Sequence, residues 1–158
     1  MKHLPKHLRP RRRYLAVAIE AWPDAEFGKR EFQRECWYAA QNLLGDSGSA
    51  DADIRVLDFS FAGGAGAAIV RVRRGEVEHA RAALACIDSV SNTPVGCRIL
   101  GVSGTVRACE ERYIGRALVE TGERNVAFAD AQRSAIERDG RVDVRMDHGF
   151  AGATPLDS

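Results

Sequence analysis

Residues 54–73 read IRVLDFSFAGGAGAAIVRVR and contain two runs rich in β-branched and aromatic side chains, separated by Gly63-Gly64. Side chains of these types favour strands, and a short glycine-containing break between two such runs is typical of a hairpin. We therefore predict one strand at Ile54–Phe61 and a second at Ala67–Arg73, joined by a tight connection. A P-loop is excluded here, because the glycines lead into a strand and lack the Gly-Lys-Ser/Thr ending.

The second of these strands carries an unusual distribution of charge. Side chains alternate along a strand, so Val70 and Val72 should face one way, and Ile69, Arg71 and Arg73 the other. Two arginines then lie on the face opposite a buried valine pair. Such a face favours contact with phosphate groups, although a solvated surface with salt bridges to neighbouring acids would show the same pattern.

Before and after the hairpin, the chain contains segments with apolar residues at helical spacing and further runs of residues that favour strands. One apolar stripe joins Phe32, Cys36, Ala40, Leu43 and Leu44. Pro23-Asp24, Gly45 and Gly75 mark breaks between elements. The remaining predicted elements are strands at Arg13–Ala21 and Cys97–Ser103, helices at Lys29–Leu44, Glu76–Asp88 and Thr105–Leu118, and loops at Asp46–Asp53 and Ser89–Gly96. In the strand Arg13–Ala21, Leu15, Val17 and Ile19 should face one way, and Tyr14, Ala16 and Ala18 the other.

This element order, β-α-β-β-α-β with a further helix, predicts an α+β fold of the split βαβ type, which is ferredoxin-like and also found in RNA-recognition motifs. We expect a four-stranded antiparallel sheet with helices packed on it, plus a C-terminal helix. The expected organisation is a basic arm at 1–13, the domain at 14–118, and an acidic appendage at 119–158. The appendage should be partly helical or disordered, with Asn125–Arg138 as the candidate helix.

Charge is distributed unevenly along the 158 residues, although the formal net charge is only +1. The arm holds six basic residues and no acid, whereas the appendage holds five basic and eight acidic residues. A basic arm is a common means of binding phosphate, although a solvated terminus or a localisation signal has the same composition. No run approaches the roughly 18 apolar residues of a membrane span, so we expect a cytoplasmic protein without a membrane partner.

Candidate catalytic groups are sparse in the sequence. Cys36, Cys86, Cys97 and Cys109 lack metal-binding spacing, and we predict that they are buried, reduced thiols. His79 lies too far along its helix from Cys86 to act as a base for it. We predict neither a catalytic residue nor a metal site in this chain.

The segment Ser103-Gly104-Thr105 precedes the third predicted helix. Free backbone N–H groups at a helix start can bind an anion, and Arg107 in the first turn would be favoured by one. Ordinary capping of the helix by Ser103 or Thr105 explains the same residues. Both interpretations stay open at this point.

Several segments together resemble the archaeal ribonuclease P protein component 2 family, which has eukaryotic relatives. They are RRRYLAVAIE, WYAAQNLLGDSGSADADIRVLDFSF, AAIVRVRRGEVEHARAALACI and GVSGTVRACEERYIG. The combination of LLG-x-x-G, the IVRVRR strand and the VSGT turn carries the resemblance, which covers about residues 11–116.

The resemblance implies a protein subunit of ribonuclease P, the ribonucleoprotein that removes the 5′ leader from precursor tRNA. It implies that the catalytic RNA performs the endonucleolytic hydrolysis with Mg²⁺, and that the protein binds no cofactor of its own. The implied partners are that RNA, protein component 3, the other protein subunits and, through the holoenzyme, precursor tRNA.

The resemblance also implies roles for individual residues. Contact with the RNA backbone is expected for the arginines that match the family's basic segments, and contact with a partner protein for exposed aromatic residues. The expected RNA-binding residues are Arg11, Arg12, Arg13, Arg71, Arg73, Arg74 and Arg107, and the expected partner-binding residues are Trp37, Tyr38 and Phe61.

Two other functions remain open from the residues alone. The first is a ferredoxin-like regulatory domain that senses a small molecule, with Gly101–Gly104 in its binding loop. The second is a metal-dependent nuclease that uses Asp51, Asp53 and Asp58. The first leaves the basic arm unexplained, and the second predicts cleavage without an RNA subunit.

Overall fold

The computed structural model describes Pro5, His7 and residues 11–114, 121–128, 131–138, 141–146 and 149–153. Five strands and three helices are described up to residue 112, and only strands follow among the described residues. The elements are β1 Arg12–Ala21, α1 Lys29–Ala52, β2 Arg55–Ala62, β3 Ala65–Arg73, α2 Val77–Ala85, β4 Ser89–Val90, β5 Thr93–Ser103, α3 Val106–Arg112, β6 Thr121–Phe128, β7 Ala131–Arg138, β8 Arg141–Met146 and β9 Gly149–Ala153.

The first sheet has five strands in the order β2-β3-β1-β5-β4, and every neighbouring pair is antiparallel. The α+β class is as predicted, but the prediction of a four-stranded sheet is wrong. Ser91 and Asn92 both have positive φ, at 50° and 63°, and reverse the chain between β4 and β5. Two such residues fit the two-residue hairpins that match strand twist, so the predicted loop at Ser89–Gly96 is a hairpin instead.

The main core lies between one face of this sheet and the helices α1 and α2. Leu15, Val17 and Ile19 of β1 are fully buried there, together with Val70 and Val72 of β3. The alternation predicted for both strands is therefore confirmed. Burial of a large aliphatic side chain stabilises a fold by roughly 1.5–3 kcal/mol, so these strands hold the sheet on its helices.

The helix α3 covers part of the opposite face of the sheet. Its Cys109 is buried against Ala16 of β1 and Ile69 of β3, with Tyr14 and Tyr113 beside them. The helix ends at Arg112, six residues before the predicted end, and residues 115–120 lie outside the described part. The rest of the predicted extent of this helix is therefore not described.

The helix α1 continues eight residues beyond the predicted end at Leu44. Gly45 has φ 75° and ψ 175°, a backbone conformation open to glycine, and two helical pieces join there across a kink. The second piece occupies the predicted loop at Asp46–Asp53 because Ala52 is fully buried, so tertiary packing stabilises a segment of weak helical propensity. Leu43, a member of the predicted apolar stripe, is 47% exposed.

A second sheet, in the order β6-β7-β8-β9, occupies the C-terminal part of the described chain. The helix predicted at Asn125–Arg138 is wrong, because its described residues, 125–128 and 131–138, lie in two paired strands. The apolar positions of this segment are too few for a helical stripe. Val144 of this sheet is fully buried, and the guanidinium of Arg145 lies 4.8 Å from the ring centre of Trp22.

None of the described helices has the length and apolar character needed to cross a bilayer.

Candidate nucleic-acid interface

Four arginines lie at neighbouring register positions on the sheet face opposite α1 and α2. Arg12 of β1 is directly opposite Arg73 of β3, and Arg55 of β2 is directly opposite Arg71 of β3. Directly opposite residues project from the same face, so three strands contribute to one basic surface. We call Arg12, Arg55, Arg71 and Arg73 the arginine face.

The arginine face has few balancing carboxylates. Asp53, immediately before β2, accepts a hydrogen bond from Arg12 at 2.5 Å. Asp58 lies farther along β2, opposite Ile69. Like charges directly opposite each other across strands are destabilising, so an anion placed on this surface would relieve repulsion.

Two donors of the arginine face are buried and unpaired. The Nε atoms of Arg71 and Arg73 are shielded from solvent, and neither has a hydrogen-bond partner within the described residues. A buried unpaired donor costs roughly 1–3 kcal/mol, and more when the group is charged. Arginine presents its donors in a fork that matches phosphate oxygens, so a phosphate is the natural partner.

The arm meets the sheet beside the arginine face. The carbonyl of Arg11 accepts a hydrogen bond from the Arg74 backbone N–H at 2.9 Å, which joins the start of β1 to the end of β3. Arg11 and Arg74 are exposed, whereas Arg13 is half-buried and donates to the Arg12 carbonyl at 3.3 Å. Apart from Pro5 and His7, residues 1–10 lie outside the described part, so the arm's placement stays a prediction.

The structure favours the capping interpretation of Ser103-Gly104-Thr105. Thr105 accepts a hydrogen bond from the Ala108 backbone N–H at 3.1 Å and so caps α3. Arg107 donates to Glu111 at 2.9 Å, one turn along the same helix. Its position in the first turn therefore has an explanation without a bound anion. Anion binding at this turn remains a prediction.

The segment Gly101–Gly104 is closely packed at two of its residues, Gly101 and Ser103. Ser103 is 6% exposed, and its Oγ has no hydrogen-bond partner within the described residues. A Cβ added to Gly101 would collide with the phenol ring of Tyr113. The space expected to receive a small molecule at Gly101–Gly104 is therefore occupied in part by a side chain of the protein itself.

The three aromatic residues predicted to bind a partner protein do not form one patch. Trp37 is 46% exposed and lies in a groove between α1 and β2. Tyr38, 52% exposed, lies in another groove, between α1 and the segment that follows α2. Phe61 is half-buried, and its ring stacks on Phe27 with centroids 4.3 Å apart. Contact of these residues with a partner stays a prediction.

The cysteines are all free, and they differ in burial. Burial raises the pKa of the Cys36 thiol, and it raises the pKa of Cys97 to about 12 and of Cys109 to about 11. Thiols with such values are protonated at neutral pH and are weak nucleophiles. Cys86 is exposed, so the prediction of burial is wrong for this residue, which follows the last turn of α2.

The carboxylates considered for a metal site do not converge. Asp53 pairs with Arg12, and across the described ranges no three histidine, cysteine, aspartate or glutamate side chains gather as metal ligands. His79 is likewise engaged, with its Nδ1 2.7 Å from Glu76. The described residues thus offer a basic binding surface as their main chemical feature.

An arginine-rich sheet face on an α+β domain is a feature found in small proteins that bind the phosphate backbone of nucleic acids. Comparison with known proteins identifies the family to which this chain belongs. Residues 13–114 match the model of the Rpp14/Pop5 family, and the chain belongs to that family.

Individual relatives agree with this family. A protein named "Ribonuclease P protein component 2" from Halorubrum lacusprofundi is 59% identical over 158 residues, covering 100% of this chain and 99% of the relative. One of the same name from Haloarcula marismortui is 60% identical over 159 residues, covering 99% of both chains. Another, from Methanosarcina acetivorans, is 36% identical over 114 residues, covering 72% of this chain and 82% of the relative.

These matches divide the chain at the end of α3. The family match stops at residue 114, whereas the first two relatives align with nearly the whole chain. The β6–β9 sheet is therefore outside the family match and within the region shared with the Halorubrum and Haloarcula proteins.

Proposed function

We propose that this protein is a subunit of ribonuclease P and supports the catalytic RNA in removing the 5′ leader from precursor tRNA. Its full-length similarity to proteins named as ribonuclease P component 2 supports this function. The arginine face, with two buried and unpaired Nε donors, is the structural observation that carries it. These donors suit phosphate oxygens of a folded RNA.

In this proposal the protein contributes binding and the RNA performs the chemistry. Phosphodiester hydrolysis would use Mg²⁺ held by the RNA, and the protein would neutralise phosphates that approach one another in the folded catalytic domain. In space, four of the strands lie in the order β2-β3-β1-β5, with β1 and β3 next to each other inside the sheet. This order supports the ferredoxin-like topology for the binding domain. We place the assembly in the cytoplasm.

Partner proteins would bind on a surface away from the arginine face. We propose that component 3 contacts the groove of Tyr38 and Leu43, which are 52% and 47% exposed. Glu35 and Asp88 lie in the same groove, so a partner with basic residues around an apolar contact would fit it. Large exposed apolar side chains that share one groove are typical of protein interfaces.

Reconstitution tests the proposed function directly. The full chain is mixed with the matching catalytic RNA, component 3, the other protein subunits and precursor tRNA at limiting Mg²⁺, and leader removal is followed. We expect strong stimulation that requires the RNA, and no cleavage by the protein alone. A protein that leaves the rate unchanged and binds the RNA at no salt concentration would contradict the proposal.

A further inference from the structure

A second basic surface borders the arginine face at Arg55, in the groove between α1 and β2. It has a volume of about 540 Å³, within the range of small-molecule and nucleotide sites. One wall is the ring of Trp37, and the others include a polar amide, an aliphatic side chain and three cations. We call it the α1–β2 groove, and the residues that matter here are Lys29, Arg30, Gln33, Trp37, Arg55 and Leu57.

Trp37 is held in a fixed orientation in this groove. Its indole N–H donates a hydrogen bond to the Ile54 carbonyl at 2.9 Å, while 46% of the residue remains exposed. The polar edge of the ring is therefore satisfied by the protein. An anchored aromatic ring that is still open to solvent can stack with a base at little cost in side-chain entropy.

The neighbouring side chains reinforce this geometry. Gln33 accepts a hydrogen bond from the Val56 backbone N–H at 2.6 Å, and Lys29 donates to the Leu57 carbonyl at 2.8 Å. These bonds tie the two turns of α1 that precede Trp37 to the outer edge of β2. The groove is thus built from paired elements and does not depend on a loop.

Charge in the groove has one sign. Lys29, Arg30 and Arg55 contribute to its lining, and no carboxylate does. Glu31, the acid next to Arg30, is directed to the Gly28 backbone N–H at 3.0 Å. Arg55 also belongs to the arginine face, directly opposite Arg71, and it lies on the edge strand β2, where the two basic surfaces meet.

We propose that the α1–β2 groove binds one unpaired nucleotide of an RNA strand, with its base stacked on Trp37 and its phosphates near Arg30 and Arg55. A protein partner would have to supply acidic side chains to balance the three cations, whereas each nucleotide carries its own negative phosphate. A ring beside a cationic track is the combination used for single-stranded nucleic acid. The inference rests on the proposed function and gives the subunit a contact with unpaired RNA.

The two tryptophans of the chain make a direct test possible. Trp22 is only 8% exposed, so in a Trp22→Phe variant the fluorescence reports on Trp37 alone. We expect a 12-residue oligouridylate to quench this fluorescence, and inorganic polyphosphate to quench it much less. In the Trp37→Phe variant, which retains Trp22, the same oligonucleotide should cause little quenching.

Affinity measurements separate stacking from charge. We expect Trp37→Ala to weaken oligouridylate binding about 5- to 100-fold, and Trp37→Phe to weaken it much less, because a ring face remains. Replacing Arg30 and Arg55 together by glutamine should lower the salt slope of binding by up to about 1.4, at roughly 0.7 per charge for single strands. Arg81→Gln with Arg112→Gln, two exposed arginines outside the groove, is the matched control.

Distinct outcomes separate this inference from the proposed function. Absence of Trp37 quenching, with equal salt slopes for the two double variants, overturns the groove assignment even if wild-type protein stimulates leader removal in the reconstituted holoenzyme. Loss of component 3 binding by Trp37→Ala, with oligouridylate binding intact, also overturns it and identifies a protein interface. Quenching by oligouridylate without stimulation of leader removal would support the groove and contradict the subunit function.

Discussion

Arg12 and Arg73 lie directly opposite each other on β1 and β3, and the carboxylate of Asp53 pairs with Arg12. The carboxylate of Asp53 therefore balances the charge of Arg12, and so reduces the cross-strand repulsion between the two guanidinium groups. On the Arg73 side a buried Nε has no partner within the described residues. This asymmetry identifies Arg73 and its neighbour Arg71 as the arginines that would gain most from a phosphate.

Replacing Arg71 and Arg73 together by glutamine should weaken binding to the catalytic RNA and flatten its salt dependence. Each lost phosphate contact on a duplex lowers the slope of log K against log salt by about 0.9, so the double variant should lose up to about 1.8. Fluorescence anisotropy over a KCl series measures this slope, with Arg81→Gln plus Arg112→Gln as the charge-matched control. A slope equal to that of the control would remove β3 from the RNA-binding surface.

Asp53→Asn should have the opposite effect on binding. The substitution releases Arg12 from its ion pair, so the arginine face gains a free guanidinium and the salt slope should steepen by up to about 0.9. Asn tolerates the left-handed backbone at this position, where φ is 48°, so the substitution should leave the fold in place. Asp51→Asn, exposed in α1, removes the same charge without touching Arg12. Identical slopes for the two variants would contradict this account.

Gly101→Ala should destabilise the domain, because the new methyl group would occupy the position of the Tyr113 ring. Overpacking of this kind costs about 1–3 kcal/mol, which corresponds to a fall in Tm of roughly 2–10 °C for a chain of this size. Gly96→Ala in the same strand is the control, since a Cβ there meets no atom within 4 Å. Calorimetry of both variants, and of Gly101→Ala combined with Tyr113→Ala, gives the coupling between the two positions. Additive losses in the double variant would contradict the proposed clash.

Glu31→Gln should remove part of the pH dependence of stability. Backbone N–H groups of Glu31 itself and of Gly28 bond the carboxylate and lower the pKa of Glu31 below its ordinary value of 4.5. A lowered pKa in the folded state means that the carboxylate stabilises α1 above pH 4.5, and that this contribution is lost as the pH falls through the folded value. Urea unfolding between pH 3 and pH 6 measures it, with Glu35→Gln on the next turn as the control. A wild-type profile matching that of Glu31→Gln would show that this capping interaction has no energetic effect.

Much of the first sheet follows from residue patterns. The alternation of Leu15, Val17 and Ile19, and of Val70 and Val72, predicted which face of each strand meets the helices, because burial of one face sets the period of two. The arginines of β3 were placed correctly by the same alternation. Local patterns of this kind are visible in a single sequence.

Features that depend on distant packing were missed. The second piece of α1 forms because Ala52 is buried in the core, and nothing in its Gly-, Ser- and Asp-rich sequence indicates a helix. Arg55 joined the arginine face only through its register with Arg71, which no sequence pattern specifies. The pairing of β6 with β7 was also missed, because the sparse apolar residues of Asn125–Arg138 were interpreted as a weak helical pattern.

The bonds from Lys29, Gln33 and Trp37 to the backbone of β2 have a consequence for behaviour in the absence of RNA. A terminal strand of a sheet offers unpaired N–H and carbonyl groups that can template the addition of a strand from another chain. Here the side chains of α1 bond the Val56 N–H and the Leu57 carbonyl of β2, and the carbonyl of Ile54 just before the strand. The first half of β2 is thereby protected against self-association, so free subunit can accumulate before assembly with less risk of aggregation.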